Sequence, residues 1–187
     1  MCQFNGIFYL SHALIRGGAL VIPSGLCFSS EMSDIDVEQP HLLAPESMPV
    51  LLPAEQVAAL GAYHAEREAA CDFAAVMATL NDHPVYDYPN LRKRFSGRDK
   101  AEQFYTYFFA HFSPHVVAGR LLREWANDTS VAQEYDITLS ISGQQETHRV
   151  LGVLYVVGDR LGGETIYASE AAVRRMLGPL FEELEDY

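Results

Sequence analysis

The sequence predicts an α+β domain with helices on one face of a curved, mostly antiparallel sheet. Three observations lead there. A stretch rich in Ala, Glu and Met over 54–80 has apolar residues at helical spacing, Val57, Leu60, Tyr63 and then Phe73, Val76, Met77, Leu80. A run of segments joined by tight turns fills 116–167, and a last helical stretch over 169–184 follows it. Helices first and hairpin-linked strands afterwards are the order of an α+β fold, not of alternating βαβ units.

Each element has a local reason. Asp72 is a natural N-cap inside the first stretch, so two consecutive helices are expected there. Asn81-Asp82-His83-Pro84 then stops the helix, because a proline drives its predecessor out of the α region. Residues 85–89 read as a short strand and 90–95 as a basic turn. A helix with an aromatic face (Phe104, Tyr105, Tyr107, Phe108, Phe109, Phe112) spans 97–112 and ends before Pro114. Strands are expected at 116–126, 131–142, 148–157 and 161–167, with turns at 127–128, 143–144 and 158–159. The second of these alternates cleanly: Tyr135, Ile137, Leu139 and Ile141 on one face, Glu134, Asp136, Thr138 and Ser140 on the other. Ser169 is the expected N-cap of the last helix, with Glu170 in its first turn, where negative charge suits the helix dipole.

Composition bounds the function. A chain of 187 residues suits one domain, and a net charge of −12 argues against nucleic-acid binding, which needs cations on phosphates. Cys2, Cys27 and Cys71 are scattered and odd in number, which gives neither a disulfide framework nor a zinc site and suits a reducing, cytoplasmic setting. Residues 1–50 read as a poorly ordered extension. Its apolar part is cut by Arg16-Gly17-Gly18 and Pro23-Ser24-Gly25, far short of the roughly 20 apolar residues of a membrane span. Met32 or Met48 could be the start of translation, and 51–187 forms the domain.

Three motifs carry a resemblance. They are Asn81 through Pro89, Phe95-Ser96-Gly97-Arg98-Asp99 leading to Phe104-Tyr105, and Gly158-Asp159-Arg160-Leu161 followed by Glu164-Thr165-Ile166-Tyr167. In order and spacing they resemble the SnoaL-like branch of the nuclear-transport-factor-2-like superfamily, over about residues 54–187. The resemblance implies a cone-shaped fold, three to four helices packed on a strongly bent, mostly antiparallel sheet that encloses a pocket. It also implies a small hydrophobic ligand, no cofactor, no metal, and a homodimer packed through the outer sheet face. An isomerase, cyclase or dehydratase is one expectation; a non-catalytic ligand-binding or dimerisation module is the other.

Aligned by these landmarks with ketosteroid isomerases, the helix tyrosine of the family falls at His64, the strand aspartate at Tyr88 next to Asp87, and the oxyanion-hole aspartate at Val153. Steroid-isomerase chemistry in its usual form is therefore not expected. The aspartate common after the last strand of SnoaL-like proteins is Ser169 here, while Glu134 and Glu164 match acidic positions of that branch. His64, Asp87 and Glu134 are the catalytic candidates. An imidazole titrates near neutrality, and a carboxylate beside it can take or return a proton. Tyr63, Tyr86, Tyr88, Tyr105, Trp125 and Tyr167 are the candidates for binding substrate, each joining a large apolar ring to a polar tip. Asp82-His83 reads as a cap and turn, and the cluster Arg92, Lys93, Arg94, Arg98, Lys100 as a solvated loop. His111 and His115 are separated by Pro114, which rules out a shared helical face for a metal.

Overall fold

The computed structural model describes residues 51–187. The extension expected over 1–50, with Cys2 and Cys27, lies outside the described residues. The first helix, α1 (Ala54–Ala69), buries Val57, Gly61 and His64 along one stripe. Cys71 turns the chain in a left-handed conformation (φ 51°), and α2 (Phe73–Thr79) starts at Asp72, whose carboxylate accepts the Ala75 N–H at 3.1 Å.

β1 (Leu80–Tyr88) follows without a gap. Residues 81–84 end the helix as expected, but they are strand and not turn. Pro84 is tolerated because the pairing of β1 with β6 is irregular between Leu80 and Val85, so no ladder bond is required of its missing N–H. The basic segment is also partly strand. After one tight turn (Pro89–Leu91) and Arg92 at φ 54°, β2 (Lys93–Ser96) pairs with β1. Four residues with two cations carry no readable alternation, which is why the sequence hid this strand.

α3 (Arg98–Tyr107) runs into a π-helical turn (Phe108–Phe112) and a 3-10 turn (Ser113–His115). Then come β3 (Val116–Ala126), β4 (Ser130–Ile141), β5 (Gln144–Val157) and β6 (Arg160–Tyr167). The last helix is shorter than expected. α4 (Glu170–Leu177), capped by Ser169, stops at Gly178-Pro179, and a 3-10 segment leads to β7 (Glu185–Asp186).

The seven strands form one unclosed sheet in the order β3-β4-β5-β6-β1-β2-β7, antiparallel throughout except for the β1–β6 pair. Register shifts put extra residues in β1, β3 and β6, and such irregularities bend strands and curl a sheet. The core lies between, with Val131, Leu139, Val150, Leu154 and Ile166 from the inner sheet face meeting Val57, Val76, Phe104 and Leu177 from the helices. No helix among the described residues is long and apolar enough to cross a membrane.

Candidate functional site

Strand parity decides what faces inward. On β4, Val131, Gln133, Tyr135, Ile137 and Leu139 point to the helices, and on α1 the stripe Val57, Gly61, His64 continues one turn later to Glu68. Between them is a cavity of about 80 Å³, walled by α1, α3, α4 and β4 to β6. A steroid skeleton of four fused rings does not fit a space of that volume.

Two carboxyl groups line it, Glu68 from α1 and Glu164 from β6. Burial pushes Glu68 up to about 7. Burial pushes Glu164 up to about 8, with repulsion from Glu68 adding to it. The pair therefore exchanges protons around neutral pH, and at pH 7 to 8 one carboxyl can be an acid while the other is a base. Glu164 has room because its diagonal neighbour across the β5–β6 hairpin, Gly152, is a glycine. A Cβ built on Gly152 would overlap the Glu164 carboxyl.

His64, which also lines the cavity, is 2% exposed and bonded on both ring nitrogens. The Thr79 hydroxyl donates to the Val76 carbonyl at 2.6 Å, so its oxygen accepts from His64 Nδ1–H, also at 2.6 Å. Nε2 is then the lone-pair nitrogen and accepts the Tyr105 hydroxyl at 3.0 Å, and Tyr86 lies 2.9 Å from Tyr105. Burial pulls His64 down to about 4, so it is neutral at physiological pH. Burial also raises the Tyr86 and Tyr105 phenols well above their ordinary value, which keeps both protonated.

Of the catalytic candidates, only His64 lies at the cavity. Asp87 alternates with the buried Tyr86 and Tyr88, so it points away and pairs with Arg94 at 3.2 Å. Glu134 alternates with Gln133 and Tyr135 and sits on the outer sheet face, bonded to Arg123 (2.9 Å) and Arg149 (2.8 Å). None of the six aromatic candidates walls the cavity. Tyr86, Tyr88 and Tyr105 are buried core rings beside it. Tyr63 is exposed on α1 with the Arg67 guanidinium over its ring. Trp125 stands opposite Ala132, and Tyr167 opposite Leu151, both on the outer face. Strand parity accounts for Asp87, Glu134, Trp125 and Tyr167, whose neighbours point inward, whereas Tyr86, Tyr88 and Tyr105 point inward and are taken up by the core.

Glu68 went unread as a site residue, yet its signal was present. It lies four residues after His64 on the buried stripe of α1, where a charged group is out of place. For Glu164 the readable sign was Gly152, a glycine inside an otherwise apolar strand, which marks close approach by another group.

No family model matches the sequence, and no curated protein matches it. Solved structures do. A steroid delta-isomerase from Pseudomonas aeruginosa superposes with a TM-score of 0.52 at 15% identity, over 71% of this chain and 93% of that one. An LEH-like epoxide hydrolase from M. tuberculosis gives 0.52 at 19% identity, over 66% and 90%. An NTF2-like protein of unknown function from Mesorhizobium loti gives 0.52 at 14% identity, over 62% and 93%. The fold is nuclear-transport-factor-2-like. Likeness at such identity extends to the fold and carries no residue roles.

Proposed function

We propose that the protein is a cofactor-free acid–base enzyme of isomerase or lyase type, acting on a small, mostly apolar molecule held between Glu68 and Glu164. One observation carries this: two carboxyls, Glu68 and Glu164, line one small cavity, and burial there pushes both toward neutrality. The ionised member takes a proton from the substrate carbon. The protonated member donates to the oxygen where negative charge develops, and the first then returns its proton at a different carbon. His64 takes no proton in this scheme. Held by Thr79, it fixes the Tyr105 hydroxyl beside Glu68.

Pent-4-en-2-one, a small β,γ-unsaturated ketone, is a direct probe, since its conversion to the conjugated enone is read by ultraviolet absorbance. Glu68→Gln and Glu164→Gln are each expected to lower the rate about 10²- to 10⁴-fold, the usual worth of a positioned acid or base. Full turnover in either variant counts against the scheme.

Two further parts of the reading concern assembly and role. A homodimer through the outer sheet face is supported by Trp125, Ala132, Leu151, Val153 and Tyr167, which the register puts on that one face. The second reading, a ligand-binding or dimerisation module without catalysis, is favoured by the rings of Tyr86, Tyr88, Phe95 and Phe104, which fill much of the interior and leave a small cavity.

A further inference from the structure

The cavity holds one hydroxyl that nothing in the described protein satisfies. Ser113 is 2% exposed, lines the same cavity as Glu68 and Glu164, and its Oγ has no hydrogen-bond partner. Serines in helical turns ordinarily return the hydroxyl to a carbonyl of the preceding turn. The turn before Ser113 is wound as a π-helix, with the Ser113 N–H bonded to the Phe108 carbonyl, and such turns recur at functional sites. A buried hydroxyl with no partner is destabilising, so its presence needs a reason.

The register locates it relative to the carboxyls. Glu164 stands opposite Leu154, which stands opposite Val131 near the start of β4. Ser113 directly precedes the entry to β3, where Val116 stands opposite Leu139 near the end of β4. Along β4 the cavity is lined by Gln133, Tyr135 and Ile137, and the register puts Glu164 toward the Gln133 side and Ser113 toward the Ile137 side. Phe108, Ile137 and Met176 are apolar wall residues.

We propose that Ser113 is a ligand-binding residue whose hydroxyl hydrogen-bonds an oxygen function at the far end of the ligand from the group that the glutamates act on. The ligand class is then a small molecule with an apolar middle and two oxygen functions, hydroxyl or carbonyl. The inference rests on the acid–base reading for the role of the glutamates, but its test does not.

The test titrates the full chain and its Ser113→Ala variant with butane-1,4-diol and with cyclopentane, following the Ile137, Ile166 and Met176 methyl signals by NMR. Both probes are expected to shift these methyls in the wild type. Ser113→Ala is expected to weaken the diol about fivefold, the worth of one neutral hydrogen bond, and to leave cyclopentane within about twofold. Without ligand the variant is expected to melt at the same temperature or a few degrees higher, because it has lost an unpartnered donor. Equal diol binding in both proteins overturns the proposal, as does a wild type whose cavity methyls ignore both probes. A fall in the melting temperature also overturns it, since that is what a purely structural serine gives. Titration of the two glutamates in the same samples is separate: ordinary carboxyl values would end the acid–base reading and leave the diol result to judge Ser113.

Discussion

Gly152 and Glu164 show how one small residue sets a charge state. The carboxyl of Glu164 occupies the place that any side chain at Gly152 would need. Gly152→Ala is expected to push the carboxyl out of the apolar cavity, with two results. Overpacking lowers stability by about 1–3 kcal/mol in urea denaturation. The Glu164 carboxyl also titrates nearer the ordinary glutamate value, because burial, the main cause of its rise, is relieved. Residue roles were the least legible part of the sequence. His64 was readable because a histidine on a buried stripe is conspicuous, but its two bonded nitrogens come from Thr79 and Tyr105, 15 and 41 residues away. Glu134 drew attention as an acidic match, although the alternation of β4 already put it on the polar face.

Among the elements, the α1–α2 break and the β1–β6 pairing make separate demands. Asp72→Ala removes the N-cap of α2 and is expected to cost about 1 kcal/mol, measurable as a lower midpoint in denaturant. Gly163 is a harder constraint. It sits at φ 128°, and a Cβ there would collide with the Val85 backbone, which cannot swing aside as a side chain can. Gly163→Ala is expected to cost about 3 kcal/mol or more, and to show in hydrogen exchange as lost protection of β1 and β6. Most elements were legible because their signals are local: the Asp72 cap, the alternation of β4, the turns at Asn127 and Gly143. β2 and β7 were not, since neither is long enough to show a period. Their pairing depends on contacts such as Lys93 with Asp186, between residues 93 positions apart in the sequence.

For the whole molecule, the buried groups give stability an unusual pH dependence. Folded His64 refuses until about 4 a proton that the unfolded chain takes up below 6.5, so its contribution is lost as pH falls through that window. Glu68 and Glu164 work the other way. The folded state keeps two protons that the unfolded chain releases from 4.5, so stability drops as pH rises toward about 7 and 8. Two such groups against one make the wild type less stable at pH 8 than at pH 5. Glu68→Gln/Glu164→Gln is expected to reverse that slope in thermal melts, leaving the His64 dependence, while abolishing activity. A variant that gains stability at pH 8 and loses function identifies a site kept at a cost to the fold.

The central claim is that the cavity of this fold shelters two coupled carboxyls, Glu68 and Glu164. Carbon-13 NMR of the glutamate side-chain carboxyls, followed from pH 3 to 10, tests it without a substrate. Two resonances, lost in Glu68→Gln and Glu164→Gln respectively, should titrate at about 7 and about 8. If both instead titrate near the ordinary glutamate value of about 4.3, the cavity is wet and the account fails.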